Sequence, residues 1–63
     1  MLAEIITIGD EILSGKTIDT NSSTIANTLM GLGIEPHFML TIPDTEQAIV
    51  KALDRALAQS DVV

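Results

Sequence analysis

The first seven residues after Met1, "LAEIITI" (Leu2–Ile8), are apolar except for Glu4 and Thr7. A short run of this kind, rich in isoleucine, reads as a strand covered on both faces, as in a parallel sheet. Glu4 is the exception and is expected near the sheet's end. A different period follows. Ile25 and Leu29 stand four apart and Leu32 three further on, which predicts one apolar helical stripe over roughly Asn21–Leu32. Asp19, Thr20 and Asn21 are all competent to cap its start, and Gly33 fits the left-handed position that ends a helix. "IEPHFMLTI" (Ile34–Ile42) reads as a second strand. Pro36 lies near its start, where a missing N–H is tolerated, and Pro43 stops it. In the second helix Ile49, Leu53 and Leu57 recur every four residues. Asp44 with Gln47 resembles a capping box, and the helix should end near Gln59–Ser60. "DVV" then opens another apolar run.

This order is strand, helix, strand, helix and the start of a strand. It implies βαβ crossovers, a mostly parallel sheet and an α/β fold with helices on both faces. Two strands and two helices cannot cover both faces of such a sheet, so the chain reads as residues 1–63 of a truncated domain, with only the first βαβα and the start of a third strand present. Met30 and Met39 are expected as core filler. Lys51, Asp54 and Arg55 are expected on the wet face of the second helix. His37, alone in an apolar strand, is expected to be structural or at the surface.

Charge narrows the function. Nine acids against three bases give a net charge of −6. That excludes a basic nucleic-acid face and disfavours an anionic membrane surface. The single aromatic, Phe38, offers no base-stacking platform. No apolar run approaches the roughly 18 residues a membrane span needs. The first residues lack a basic leader and reach an acid at Glu4. With no cysteine present, the expectation is a soluble cytoplasmic protein. A small phosphorylated ligand remains compatible, because backbone N–H groups, a helix N-terminus or a divalent cation can hold one.

The connection "IGDEILSGKTIDTNS" (Ile8–Ser22) is long for its place; such links usually run about 2–6 residues. In open α/β sheets, ligands bind beyond the carboxyl ends of the strands, where this stretch must lie. Gly9 lets the chain turn off the sheet, and Gly15 permits close backbone approach. Asp10 and Glu11 place two carboxylates at the strand tip, a pairing that suits hydrated Mg²⁺ with phosphate oxygens. The plain alternative is a solvated turn. Asp19, Thr20 and Asn21 bring hydrogen-bonding side chains and a helix N-terminus to the same edge. Lys16 reads as a solvated loop residue. Neither a G-x-G-x-x-G nor a G-x-x-x-x-G-K-[ST] pattern is present. A receiver-type domain also carries acids after its first strand, but its helix starts almost at once.

"GDEILSGKTIDTN" (Gly9–Asn21) closely resembles the opening motif of the CinA (competence/damage-inducible protein A) family, roughly G-[DT]-E-[IL]-L-x-G-x-x-x-[DN]-T-N. The nucleotide-binding domain of that family belongs to the molybdopterin-binding superfamily. "LMGLGIEP" and "TIPDTEQAIVKALDRALAQSDVV" look like its continuation, so the resemblance spans the chain. It implies a three-layer α/β/α domain and metal-dependent hydrolysis of ADP-ribose to AMP and ribose 5-phosphate. In many members a nicotinamide-nucleotide deamidase domain is also present. On this reading Glu11 and Asp10 are catalytic and hold a divalent metal such as Mg²⁺. Gly9, Gly15, Asp19, Thr20 and Asn21 meet a nucleotide or pterin. The family's Gly-Gly-x-Gly-Pro-Thr-x-Asp-Asp signature is not within these residues, so the 63-residue piece alone should not be catalytic. The competing expectations are a pterin- or nucleotide-binding module of molybdenum-cofactor assembly, and a structural or oligomer-forming piece.

Overall fold

The computed structural model describes residues 1–63. The elements follow in the order β1 (Leu2–Ile8), α1 (Asp10–Leu13), α2 (Thr20–Gly31), β2 (Glu35–Ile42) and α3 (Glu46–Gln59). The one element the pattern did not announce is α1, a single turn at the head of the long connection. It is too short to carry an apolar period.

β1 and β2 pair in parallel from Leu2↔Glu35 to Ile8↔Ile42. The register jumps from Ala3↔Pro36 to Glu4↔Phe38, which leaves His37 as a bulge. A proline beside a bulge is where a sheet tolerates one. On the far edge of β1, Ala3 bridges Val62 in parallel, with Glu4 N donating to Val62 O at 2.9 Å and Val62 N to Leu2 O at 3.1 Å. The run at "DVV" is thus the start of a third strand, and β1 is the central one.

Alternation along β1 sorts the helices. Odd-numbered Thr7 meets α2 and its cap through Ser22 and Asp19, while even-numbered Glu4 meets α3 through Arg55 and Gln59. Successive side chains of a strand point to opposite faces. The helices therefore lie on opposite sides of the sheet, in the three-layer α/β/α arrangement. Ala3, Glu4 and Ile5 are all buried, as a strand covered on both faces requires.

The helix ends follow their local chemistry. α2 closes in a Schellman motif: Ile34 N donates to Leu29 O at 2.9 Å and Gly33 N to Met30 O at 3.1 Å, with Gly33 at φ +77°. Thr45, not Asp44, caps α3; its hydroxyl accepts from Ala48 N at 3.2 Å. Gln47 then sits one position short of the reciprocal partner, so no capping box forms.

Packing departs from the expected stripes. The seam of α3 against the sheet is Ala52 and Ala56, whereas Leu53 and Leu57 are 40% and 68% exposed. Small residues let the helix approach closely, and the leucines fall to the side. Ile25 and Leu32 of the other stripe are also exposed, as are Met30 and Met39. Two paired strands are too narrow to cover two helices. Ile25 and Leu29 from α2 and Ile49 and Leu53 from α3 line one apolar groove of about 410 Å³ around the open edge of β1.

Arg55 is not on the wet face. It reaches through to Glu4, which is 2% exposed, and stacks its guanidinium 5.4 Å from the Phe38 ring centroid. Gln59 and Ser60 add weaker donors to Glu4 at 3.4 and 3.5 Å. His37 is structural: its Nε2 bonds Ser60 Oγ at 2.9 Å.

Candidate functional site

Beyond the carboxyl end of β1 lies a polar groove of about 480 Å³. The sheet ladder runs to its lip, because Gly9 N donates to Ile42 O at 3.1 Å. Helix α1 begins at once, so Asp10 and Glu11 stand on its first turn rather than on a loop. The crossover helix α2 begins only at Thr20, so the connection from β1 to it is long, unlike that of a receiver-type domain. Gly15, at φ +81°, then turns the chain back, and Thr17 N donates to Glu11 O at 3.1 Å. Only glycine adopts that left-handed backbone without cost.

Glu11, Asp19, Thr20 and Asn21 line the groove together, joined by Thr7 and Thr17. Asp10, Gly9 and Gly15 do not line it. Lys16 is exposed and outside the lining as well. No three His, Cys, Asp or Glu side chains converge tightly enough to hold a metal ion by themselves.

Asp19 has a defined task. As the cap of α2 its Oδ1 accepts from Ser22 N at 3.1 Å, and its Oδ2 accepts from Thr7 Oγ1 at 2.7 Å and from the Ser22 hydroxyl. Thr7 Oγ1 and Ser22 Oγ also meet at 2.7 Å. The cluster pins the start of α2 to the tip of β1. Donation from the Ser22 hydroxyl, then Thr7, then the Ser22 backbone holds the Asp19 carboxyl below the ordinary aspartate value, against a smaller opposing effect of burial. A folded pKa lowered in this way stabilises the fold above the ordinary value. That contribution is lost as pH falls through the lowered one. An Asp19→Asn variant should therefore be less stable than the parent at neutral pH, and the gap should close as the solution is acidified. Thermal unfolding at several pH values reads this directly; a constant gap would deny Asp19 its ionised role.

Thr7 and Ser22 were not among the residues expected at the site. Ser22 could have been found, since it stands three after Asp19, where a capping acid reaches the backbone N–H. Thr7 carries no such local signal.

The arrangement sets the ligand chemistry. The α2 N-terminus already holds an ionised acid, and Glu11 adds a second negative charge to the groove. Two carboxylates together disfavour a bare anion in the groove. Magnesium commonly takes one or two protein carboxylates and completes its shell with water and phosphate oxygens. Glu11 fits that part.

Residues 4–63 match the family described as a probable molybdopterin binding domain. The chain is 51% identical over all 63 residues to a CinA-like protein of Flavobacterium psychrophilum and 43% identical to a putative competence-damage inducible protein of Halothermothrix orenii. It spans 15% of the length of each. It also superposes on the crystal structure of the protein CinA, with unknown function, from Thermoplasma acidophilum. There the TM-score is 0.92 at 37% identity, covering 97% of this chain and 37% of that one. No helix is long and apolar enough to cross a membrane. With the family match running over nearly every residue and the fold shared with a CinA structure, this chain belongs to the CinA-like, probable molybdopterin-binding domain family.

Proposed function

We propose that the groove beyond β1 forms one wall of a site for a nucleotide diphosphate, and that the whole protein hydrolyses ADP-ribose with the help of a divalent cation. The observation that carries this reading is the groove itself. Two carboxylates, four hydroxyls, the Asn21 amide and a helix start meet over isoleucine side chains at the carboxyl end of a parallel strand. This is where α/β sheets take up ligands. A divalent cation bound there would neutralise the diphosphate and supply an activated water. Glu11 would hold it from the first turn of α1. Asn21 and Thr20 would donate to phosphate or ribose oxygens, and the Asp19 cluster would keep that helix start in register with the strand tip. Residues outside these 63 would complete the site.

The test is AMP release from ADP-ribose and Mg²⁺ by the full-length protein. Glu11→Gln should weaken cation-dependent binding by at least about tenfold and lower turnover with it. Turnover equal to the parent's would remove Glu11 from the mechanism. A second reading rests on the family description: the same groove holds a pterin phosphate without cleaving it. Calorimetry with ADP-ribose and with a pterin separates the two.

A further inference from the structure

Gly9 carries a feature that its backbone does not require. Its φ of 164° is extended and open to any residue. A Cβ placed on Gly9, however, would lie 2.5 Å from Glu11 Oε1, 3.0 Å from Cδ and 3.2 Å from Oε2. The Glu11 carboxylate has folded back over the strand tip into the space that every other residue's Cβ fills. Gly15 is the opposite case. Its φ of +81° demands glycine, and nothing stands within 4 Å of its missing Cβ.

We infer that Gly9 is the positioning residue for Glu11: its bare Cα is the seat that keeps the carboxylate at the end of β1. This deepens the proposed site and rests on that reading for its functional half only. Gly9 is anchored by its N–H to Ile42 O at 3.1 Å, so the seat is fixed to the sheet. The colliding atoms are the far end of a flexible side chain. A methyl group at position 9 therefore expels the carboxylate without disturbing the strand. It excludes the folded-back position of the carboxylate over the strand tip. Glycine here serves the neighbour's geometry rather than its own conformation.

The experiment compares the parent, Gly9→Ala, Gly15→Ala and Glu11→Gln. Carbon NMR follows the Glu11 Cδ signal and the contact between Glu11 Hγ and residue 9 Hα. Thermal unfolding follows the fold, and calorimetry with Mn²⁺ and ADP-ribose follows the site. Gly9→Ala should move the Cδ signal, abolish the contact and keep the melting temperature within about 2 °C. It should weaken binding as much as Glu11→Gln does. Gly15→Ala should lower the melting temperature and leave the Cδ signal in place. A Cδ signal unmoved in Gly9→Ala overturns the inference. Should Gly9→Ala unfold, adding Glu11→Ala must restore the fold, since the clash is with that side chain alone; failure to restore it overturns the inference too. If the parent takes up no Mn²⁺ with ADP-ribose while the Cδ signal still moves, the site reading falls and the seat for Glu11 stands.

Discussion

Replacing Arg55 by alanine should lower stability by about 3 kcal/mol. Glu4 is buried at the centre of the sheet, and Arg55 supplies its two charged donors. Without them the carboxylate keeps only contacts at 3.4 and 3.5 Å from Gln59 and Ser60. Stranding a buried charge costs about 3–5 kcal/mol. Arg55 is 39% exposed, so water offsets part of the loss, and about 3 kcal/mol is the expected figure. Urea denaturation of Arg55→Ala measures the loss. The double variant Glu4→Met, Arg55→Leu should recover most of it, because replacing both charges removes the desolvation cost together with the attraction.

Acid provides a second check with a sign. Burial pushes the Glu4 carboxyl up, but donors from Arg55, Gln59 and Ser60 and the Arg55 charge outweigh it, so the net direction is down. In the parent this contribution is present above the ordinary glutamate value and is lost as pH falls through the lowered one. In Arg55→Ala the downward causes shrink and burial wins. That variant should gain stability over the range of mild acidification where the parent gains none. Parallel pH dependence in the two proteins would mean that the pair does not set the titration of Glu4.

Ala56→Leu should cost about 2–3 kcal/mol. Ala56 is fully buried at the seam of α3 and the sheet, with Ala52 one turn before it. A leucine there must push the helix off the strands, since close-packed cores rarely hold spare volume for a branched side chain. The displacement falls on the neighbouring Arg55 and pulls its guanidinium from Glu4, which places the cost at the upper end of the overpacking range. Ala58→Leu, on the exposed side of the same helix, should change stability by less than about 0.5 kcal/mol. Equal urea midpoints for the two variants would show that the seam is loose.

The main elements could be read from local pattern because their causes are local. "LAEIITI" is too apolar and too short for anything but a covered strand. Gly33 announces the end of α2, since only that position satisfies the last carbonyls through a left-handed turn. The Glu4–Arg55 pair could not be read, because its partners are 51 residues apart and each looks like an ordinary surface residue alone. The seam of α3 was misread for a related reason. Leucines dominate a periodicity, but alanines are what a helix offers when it must lie close to a sheet. At the site, Glu11, Asp19, Thr20 and Asn21 were legible as a group from their motif. Thr7 was not, since its contact with Asp19 depends on the fold bringing strand tip and helix start together.

The bridge between Ala3 and Val62 gives the order of manufacture a meaning. β1 is made before Val62, so the edge that Ala3 offers to Val62 waits for a residue far along the sequence. Leu2 and its partner Asp61 are 59 residues apart. At the usual ~5–20 residues per second, that interval is roughly 3–12 s. During it the Leu2–Glu4 end of β1 is without its second neighbour. A nascent chain in that condition is a natural client for holding chaperones, and slow translation between β1 and Asp61 lengthens its exposure.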